Sequence, residues 1–252
     1  MSAATRVLLM AGGRGARMAA GDPTTPKPLA RVGSRSLIEH LVERLVAAGF
    51  SAIDVALGHR AAEVEAHLRA SPSSAGAHLR YRVEREPRGT IGALADLDDR
   101  HGADGESVLV VNADLFTAFD FRAFLAFHRE RGAALSIATH EERHQLALGE
   151  VVADDAGRVR AYREKPLVRW RISSGLYVFE PAARRVLQAR PGLALPALVE
   201  ACAAAGLPVL EYPHEEPWMD VNCAADLMAA RALYERDPAV FHAGAALEAR
   251  PR

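Results

Sequence analysis

Val7-Leu-Leu-Met-Ala-Gly-Gly-Arg-Gly-Ala-Arg-Met18 joins a short apolar run to a glycine-rich turn. The apolar residues predict a buried strand, and the glycines after it let successive backbone N–H groups converge on an anion. Arg14 and Arg17 add positive charge. Met18 occupies the third glycine position of the dinucleotide fingerprint, and the Gly-Lys-Ser/Thr ending of a P-loop is missing. Considered alone, the segment fits a phosphate-binding turn and a tight turn without a ligand about equally well.

Outward from this turn, apolar runs of strand length alternate with amphipathic stretches of helical length through the first half of the chain. The predicted strands there span residues 7–10, 52–57, 79–83, 107–111 and 134–138, and the predicted helices span 36–48, 61–70, 91–99 and 121–131. The second half predicts strands at 149–152, 159–162, 172–179 and 207–212 and a last helix at 224–234. Strands separated by helices are parallel neighbours joined by right-handed crossovers, so we expect an α/β fold. One domain is expected over residues 1–236, with a frayed tail at 237–252.

The charge balance limits the classes of partner. The 252-residue chain carries 31 Lys plus Arg against 32 Asp plus Glu, for a net charge of -1. Proteins that mainly bind nucleic acid need a basic excess on one face. No apolar run approaches the roughly 20 residues that cross a bilayer, and residues 7–11 are too few for a signal peptide. Cys202 and Cys223 are too isolated for a disulfide framework. We therefore expect a cytoplasmic protein without a nucleic-acid or membrane partner.

Lysine is rare in this chain. Only Lys27 and Lys165 are lysines among the 31 basic side chains, and the others are arginines. This bias indicates that arginine stands wherever charge alone matters, so the two lysines mark places where arginine does not fit. A compact ammonium that reaches one phosphate oxygen in a tight pocket is such a place. Both lysines lie beside prolines, in Thr25-Pro-Lys-Pro-Leu29 and Glu164-Lys-Pro166.

Two aspartates are candidate metal ligands. Asp114 follows an apolar strand, so it lies at a strand's carboxyl end, where open α/β sheets bind ligands. Asp220 follows an aromatic residue in a predicted loop before the last helix. Mg²⁺ takes a few hard oxygens from the protein and completes its octahedron with water and phosphate, so two carboxylates suffice. His140 and His144 have the spacing of a metal pair, but no helix or third ligand accompanies them, and we predict a solvated loop there.

These segments resemble the sugar-phosphate nucleotidylyltransferases, whose signature is a Gly-rich loop ending in Arg followed, at this spacing, by Pro-Lys-Pro-Leu. Further segments similar to those of the family recur in the family's order across nearly the whole chain. They are Glu86-Pro-Arg-Gly-Thr-Ile-Gly-Ala-Leu94 for the base, Val110-Val-Asn-Ala-Asp114 for a metal, Glu164-Lys-Pro166 for the sugar phosphate, Ser174-Gly-Leu-Tyr-Val-Phe179 for the sugar, and Trp218-Met-Asp220 for the second metal ligand.

The resemblance implies a single-domain, Rossmann-like nucleotidyltransferase fold with a mixed, mostly parallel sheet flanked by helices. It implies transfer of a nucleoside monophosphate from a nucleoside triphosphate to a sugar 1-phosphate, with release of pyrophosphate and with Mg²⁺ on Asp114 and Asp220. The implied catalytic residues are Arg17, Lys27, Asp114, Lys165 and Asp220. The implied nucleotide-binding residues are Ala11, Gly12, Gly13, Gly15, Glu84, Gly89 and Thr90, and the implied sugar-phosphate-binding residues are Gly149, Glu164, Lys165, Ser174 and Gly175.

The resemblance ranks the substrates without deciding them. The segment 89–94 looks most like that of mannose and heptose 1-phosphate guanylyltransferases, which favours GTP over UTP, CTP and dTTP. Ala20-Gly-Asp22 replaces the usual Pro-Leu-Thr, and Ala113 replaces the glycine before the metal-binding aspartate. Ser174 replaces the asparagine of the sugar strand, which leaves the sugar open. Bifunctional members with an acetyltransferase β-helix are not expected, because no hexapeptide repeat occurs.

Two other classes of function stay open at this point. A nucleotide-sugar-dependent glycosyltransferase uses a similar sheet, and Asn112-Ala-Asp114 fits a degenerate form of its acidic metal motif. Lys27 would have no role in such an enzyme, because its donor carries only a diphosphate. A non-catalytic, ligand-sensing relative would be expected to have lost one of four residues, Lys27, Asp114, Lys165 or Asp220, and all four are present. The oligomeric state is open, with a homodimer among the candidates.

Overall fold

The computed structural model describes residues 5–13, 25–84, 89, 91–97, 106–190 and 192–242. Its strands are β1 (Thr5–Ala11), β2 (Arg31–Val32), β3 (Arg35–Ser36), β4 (Ala52–Leu57), β5 (His78–Val83), β6 (Ser107–Asn112), β7 (Leu115–Thr117), β8 (Leu135–Gln145), β9 (Glu150–Ala153), β10 (Val159–Arg163), β11 (Leu167–Phe179), β12 (Val209–Pro213) and β13 (Trp218–Asp220). Its helices are α1 (Leu37–Ala47), α2 (Ala61–Ala70), α3 (Gly92–Ala95), α4 (Phe121–Glu130), α5 (Pro181–Gln188), α6 (Leu195–Ala204), α7 (Ala224–Arg236) and α8 (Pro238–Phe241), with 3-10 turns at Lys27–Leu29 and Pro72–Ser74.

One sheet organises the described part of the chain. It contains seven strands in the order β12-β8-β11-β6-β1-β4-β5. The neighbours β5, β4, β1 and β6 run parallel, and β12 runs parallel to β8. β11 is antiparallel to both β6 and β8. The predicted α/β fold with a mixed, mostly parallel sheet is confirmed.

The sheet is buried on both faces because its central strands are apolar at consecutive positions. In β1, Val7 and Leu9 pack in a cluster with residues of α1, α2 and α4, whereas Leu8 packs on the opposite face with residues of α3, α5 and α6. Successive side chains of a strand point to opposite faces, so an uninterrupted apolar run requires helices on each side. Within the described ranges, none of the helices combines the length and the apolar character needed to cross a membrane.

The second half of the chain differs from its prediction in two places. β8 continues to Gln145 and pairs with β11 along its whole length, so His140 and His144 lie on a strand and not in a solvated loop. Trp218–Asp220, predicted as a loop, forms β13 and pairs antiparallel with β7. Both segments lack the apolar run of strand length from which strands are predicted, because residues 140–145 are all polar and β13 is only three residues long.

The C-terminal residues also differ from the prediction. Residues 238–241 of the predicted frayed tail form α8, in which Phe241 is buried and stacks on Phe116 with ring centroids 4.3 Å apart. Residues 243–252 lie outside the described residues. The packing of Phe241 therefore ties the chain to the domain at least as far as α8.

The Glu39 carboxylate, at the start of α1, links this helix to α2 and to the turn that follows α2. Glu39 accepts hydrogen bonds from the backbone N–H and hydroxyl of Ser36, both at 2.7 Å, and from the Ser71 hydroxyl at 2.5 Å. His67 Nε2 lies 3.1 Å from the same carboxylate. Burial opposes ionisation of Glu39, but the hydrogen bonds from Ser36, Ser71 and His67 outweigh it and lower the pKa of Glu39 to about 2. This capping box is satisfied in its ionised form.

We predict that Glu39 contributes to stability above its ordinary pKa of 4.5 and that this contribution is lost as the pH falls towards about 2. Glu39→Gln should lower the unfolding free energy at pH 7 by roughly 1 to 3 kcal/mol, because the donors lose a charged acceptor. The difference between the two proteins should shrink as the pH falls, since a protonated Glu39 resembles Gln. Urea titrations from pH 7 to pH 2.5 measure it. Glu65→Gln, in the exposed Glu65–Arg69 pair of α2, is the control and should cost under ~0.5 kcal/mol.

Candidate nucleotide and metal site

Asp114 lies at the carboxyl edge of the sheet, in the turn between β6 and β7. The Ala113 N–H donates to the Met10 carbonyl at 3.0 Å, which continues the pairing of β6 with β1 beyond the strand itself. Asp114 therefore projects from the point where β1 and β6 end together. This is the edge at which open α/β sheets bind ligands.

Asp220 is brought beside Asp114 by the short β7–β13 pair. Asp220 is opposite Leu115 in the register, and the Val221 N–H donates to the Asp114 carbonyl at 3.0 Å. The two aspartates are far apart in sequence, but both are carried by this pair. The structure thus brings together the two carboxylates that the sequence predicts as metal ligands.

Lys27 joins the two aspartates through an asparagine. Its ammonium donates to Asp114 Oδ2 at 2.7 Å and to Asn222 Oδ1 at 2.8 Å. The Asn222 amide in turn donates to Asp220 Oδ2 at 2.5 Å. The Lys27 side chain is 11% exposed and belongs to the 3-10 turn that Pro26 precedes. The nearly buried position of this ammonium fits the predicted tight pocket, and its contact with a phosphate stays a prediction.

Asn222 also belongs to this group, although no pattern in the sequence predicted it. Its side chain links Lys27 to Asp220, and its backbone N–H donates to Asp226 Oδ2 at 2.8 Å, at the start of α7. The signal available in the sequence was its position two residues after Asp220, followed by a helix start. An asparagine there reads as an ordinary helix-capping residue, which conceals its bridging role.

The carboxylates have capacity left for a cation. Asp114 Oδ1 and Asp220 Oδ1 are buried and accept no hydrogen bond from the described residues. Burial, together with the charge of Asp114, raises the pKa of Asp220. A divalent cation would relieve both conditions, because it supplies the missing partner and offsets the like charges. In the described ranges no three His, Cys, Asp or Glu side chains cluster as ligands. The set of two oxygens suits Mg²⁺, which keeps water and phosphate ligands, and not a closed Zn²⁺ site.

Three strand ends form the neighbouring part of this edge. β1, β4 and β5 are followed by Gly12, Gly58 and Glu84, respectively. A Cβ on Gly12 would lie 2.8 Å from Glu84 Oε2, and a Cβ on Gly58 would lie 2.4 Å from the Gly12 carbonyl oxygen. The backbone at Gly12 is therefore enclosed between Gly58 and the Glu84 carboxylate. Gly58 was not singled out in the sequence, because a lone glycine after a strand is an ordinary turn signal.

The other residues predicted to bind or act on the nucleotide differ in burial, and three of them lie outside the described residues. Ala11 is buried at the end of β1, Gly13 is exposed beyond it, and Gly89 is exposed with φ +78°. Gly15, Arg17 and Thr90 lie outside the described residues. Their assignment stays a prediction.

The predicted sugar-phosphate residues lie on the β9–β11 side of the sheet. Glu164 and Lys165 are exposed in the turn between β10 and β11, where Lys165 has φ +44° and its carbonyl accepts a hydrogen bond from the Gln145 side chain. Within the described part of the chain, the Lys165 ammonium has no ion-pair partner. Gly149 lies against Tyr162, whose hydroxyl would be 2.2 Å from a Cβ at that position.

Gly175 and Ser174 are placed differently from each other. Gly175 has φ +73°, and a Cβ there would lie 2.7 Å from the Asn112 amide nitrogen, so only glycine fits beside β6. Ser174 is fully buried, and its hydroxyl lies 3.0 Å from His140 Nδ1 and 2.8 Å from His214 Nε2. Its side chain is thus engaged within the protein, and a direct contact with a sugar hydroxyl stays a prediction.

Comparison with known proteins agrees with this geometry. The family model described as nucleotidyl transferase matches residues 6–237. The chain belongs to the nucleotidyl transferase family. Mannose-1-phosphate guanylyltransferase catalytic subunit beta is 29% identical over 236 residues in Drosophila pseudoobscura pseudoobscura and 30% identical over 233 residues in Danio rerio. The aligned regions cover 91% of this chain in both cases, and 62% and 64% of those relatives, so the chain spans less than two thirds of their length.

Two solved structures of another protein share the fold. HddC from Yersinia pseudotuberculosis superimposes with a TM-score of 0.70 at 20% identity, covering 91% of this chain and 99% of that one. The same protein complexed with GMP-PN gives a TM-score of 0.67 at 20% identity, over the same shares of the two chains. At this identity the likeness establishes the arrangement of the strands and helices of the nucleotidyl transferase fold.

We predict that Gly58→Ala displaces the backbone at Gly12 and destabilises the fold. The added Cβ would meet a backbone oxygen, which cannot rotate away, so the cost should be about 1 to 3 kcal/mol. Gly13→Ala is the matched control, because a Cβ there meets nothing within 4 Å. Urea unfolding should place Gly13→Ala within ~0.5 kcal/mol of the parent. Equal stabilities of the two variants would contradict the close approach of β1 and β4.

Proposed function

We propose that the protein transfers a nucleoside monophosphate, preferentially from GTP, to a sugar 1-phosphate and releases pyrophosphate. The observation that carries the proposal is the convergence of the Lys27 ammonium with the Asp114 and Asp220 carboxylates at the end of β1 and β6. With a divalent cation on the two carboxylates, this constellation would neutralise charge on reacting phosphates. The family and the names of the relatives support it.

The chemistry is an in-line attack on the α-phosphorus of the triphosphate. The nucleophile is an oxygen of the sugar phosphate, which is largely deprotonated at pH 7 because its second pKa is about 6. No general base is therefore needed, and positioning with charge neutralisation is sufficient. Bond formation from the phosphate oxygen to the α-phosphorus displaces pyrophosphate, which leaves with the electron pair of the broken P–O bond.

The residues at the sheet edge have distinct roles in this reaction. Lys27 would stabilise negative charge on the reacting phosphates, and Gly12 and Gly13, with Gly15 and Arg17, would hold the triphosphate. Asp114 and Asp220 would hold Mg²⁺, which would supply charge neutralisation for the reacting phosphates. Asn222 would hold the Asp220 carboxylate and the Lys27 ammonium in fixed positions, because its side-chain amide is hydrogen-bonded to both.

The acceptor would bind on the β9–β11 side. Lys165 is the cation for its phosphate, since the ammonium is exposed and lacks an ion pair in the described part of the chain. Glu164 is an acceptor for sugar hydroxyls, and Gly149 and Gly175, which pack against Tyr162 and Asn112, stay predicted contacts of the sugar. The names of the relatives make mannose 1-phosphate the first acceptor to test. A heptose phosphate is the next, because Ser174 departs from the usual asparagine.

Glu84 supports guanine as the base. Its carboxylate lies against Gly12, at the end of β5. A carboxylate only accepts hydrogen bonds, and guanine presents two adjacent donors, N1–H and the 2-amino group, on its Watson–Crick edge. Uracil and thymine present one N–H between two carbonyl oxygens, which a carboxylate would repel. The same charge can therefore favour GTP and reject UTP and dTTP.

The location and the partners of the protein are also part of the proposal. Cys202 and Cys223 are both free thiols, which supports a reducing compartment and hence the cytoplasm. The partners are the two small-molecule substrates, with no membrane or nucleic-acid partner proposed.

The reaction class is tested by pyrophosphate release from each triphosphate paired with a panel of sugar 1-phosphates. We expect release that depends on Mg²⁺ and stops on chelation. Asp220→Asn should lower kcat/KM by about 100-fold or more while the fold is kept, because the carboxylate lies on a short strand outside the core. Glu65→Gln on the surface of α2 is the control and should retain full activity. Turnover that is insensitive to chelation, or release of a free nucleoside diphosphate from a nucleotide sugar, would refute the proposal.

The base preference is tested by Glu84→Gln. Glutamine replaces the carboxylate by one acceptor and one donor, which suits uracil or thymine and removes an acceptor from guanine. We expect kcat/KM for GTP to fall roughly 10- to 100-fold, as for loss of a charge-assisted hydrogen bond, and that for UTP or dTTP to rise. Glu84→Ala should lower GTP use without the gain for pyrimidines. If Glu84→Gln leaves the ratio of kcat/KM for GTP to that for UTP or dTTP unchanged, then Glu84 does not contact the base.

A further inference from the structure

The β7–β13 pair carries Asp220 but is not part of the main sheet. Each of its strands is three residues long, and the two are hydrogen-bonded only to each other in the strand order of the described residues. A two-stranded unit of this size is not stable by itself. The Val221 N–H donates to the Asp114 carbonyl and so ties this pair to the end of β6, while side-chain contacts tie Asp220 to β11 and β8.

Trp218 makes those contacts at the start of β13. Its indole N–H donates to the Ser174 carbonyl of β11 at 2.9 Å. Its ring stacks on His140 of β8, with centroids 4.1 Å apart and an interplanar angle of 30°. The register between β8 and β11 shifts between Ser173 and Tyr177, at the place where the Ser174 carbonyl accepts the indole hydrogen bond. One side chain thus attaches β13 to two strands of the main sheet.

Ser174 connects the residues around Trp218. Its buried hydroxyl is hydrogen-bonded to His140 and to His214, and His214 follows β12 on the segment that leads to β13. His214 Nδ1 lies 3.3 Å from Glu216 Oε2 on the same segment. We call His140, Ser174, His214, Glu216 and Trp218 the tryptophan clamp. Its members come from β8, β11 and the segment 214–218, so it joins two strands of the main sheet to the segment that leads to Asp220.

The order serine, imidazole and carboxylate in the clamp resembles that of a nucleophilic hydrolase. Ser174 has no exposed surface, however, and its hydroxyl already contacts two imidazoles. A substrate carbonyl cannot reach it, so covalent catalysis is excluded on geometric grounds. What the clamp can do is hold Trp218.

We infer that the tryptophan clamp positions the Asp220 carboxylate for metal binding, with Trp218 as the positioning residue and Ser174 as the centre of its support. The inference deepens the proposed function and rests on it through the assignment of Asp114 and Asp220 as metal ligands. Because the support comes from β11 and β8, the clamp also links the metal side of the site to the strand predicted to bind the sugar.

Mn²⁺ binding to the full chain tests the clamp without turnover. The chain has two tryptophans, so Trp170→Phe leaves Trp218 as a single fluorophore whose emission bound paramagnetic Mn²⁺ should quench. On this background, Ser174→Ala deletes the hydroxyl but keeps the carbonyl that binds the indole. Ser173→Ala is the matched control, because its hydroxyl bonds to Tyr177 and not to the clamp. Trp218→Phe, in the parent chain, deletes the indole N–H and keeps a ring; free Mn²⁺ is then measured by electron paramagnetic resonance.

We expect Ser174→Ala and Trp218→Phe each to raise the Mn²⁺ dissociation constant about 10-fold, as for loss of a group that orients a metal ligand. Ser173→Ala should stay within roughly twofold of its parent, and Asp220→Asn should abolish saturable binding. The inference is overturned if Ser174→Ala binds Mn²⁺ as tightly as Ser173→Ala, or if the parent binds no Mn²⁺ through Asp220. If Ser174→Ala does not fold, Trp218→Phe decides, and loss of folding in both shows a purely structural role. A parent that releases no pyrophosphate but loses Mn²⁺ affinity in Ser174→Ala would refute the proposed function and retain the clamp.

Discussion

The ammonium of Lys27 is the group on which the arrangement of the site depends. It lies nearly buried between Asp114 and Asn222, and Asn222 in turn holds Asp220. Without this cation, two carboxylates of like charge would face each other in a partly buried edge, which costs free energy unless they are neutralised. The positive charge allows both to stay near one another while one oxygen of each is left without a hydrogen bond from the described residues. The site is thus prepared for a second positive charge.

The sheet order would allow this edge to serve the two proposed substrates. β1, β4 and β5 end in Gly12, Gly58 and Glu84, which form the proposed nucleotide side. β11 lies on the other side of β6 and runs in the opposite direction, and it carries Ser174 and Gly175 of the proposed sugar side. Asp114 follows β6, the strand between the two sides. A phosphate from either substrate can therefore approach the same carboxylate, which an in-line transfer requires.

The polar residues of β8 and β11 show how a ribbon can serve a site outside the core. His140 and Ser174 would read as solvated residues by their chemistry, but they pack around Trp218 and His214. Buried polar groups of this kind are stabilised by hydrogen-bond partners, and a connected group holds its neighbours in one arrangement. The precision needed at Asp220 has a physical source in these contacts, which lie at a distance from the reacting atoms.

The sequence by itself determined the parts of the protein that rest on local pattern. Alternating apolar and amphipathic runs specified the α/β class and the bounds of β4 and α2, because burial on both faces of a parallel sheet leaves a continuous apolar signature. The rarity of lysine and the position of Asp114 at a strand end singled out Lys27 and Asp114, whose side chains the structure brings within 2.7 Å of each other. Only the tertiary structure decided the rest. Asn222, Gly58 and the clamp around Trp218 act through partners distant in sequence, and β13 exists because β7 pairs with it. Such residues carry no periodicity or composition of their own, since their role is defined by the side chains that folding brings against them.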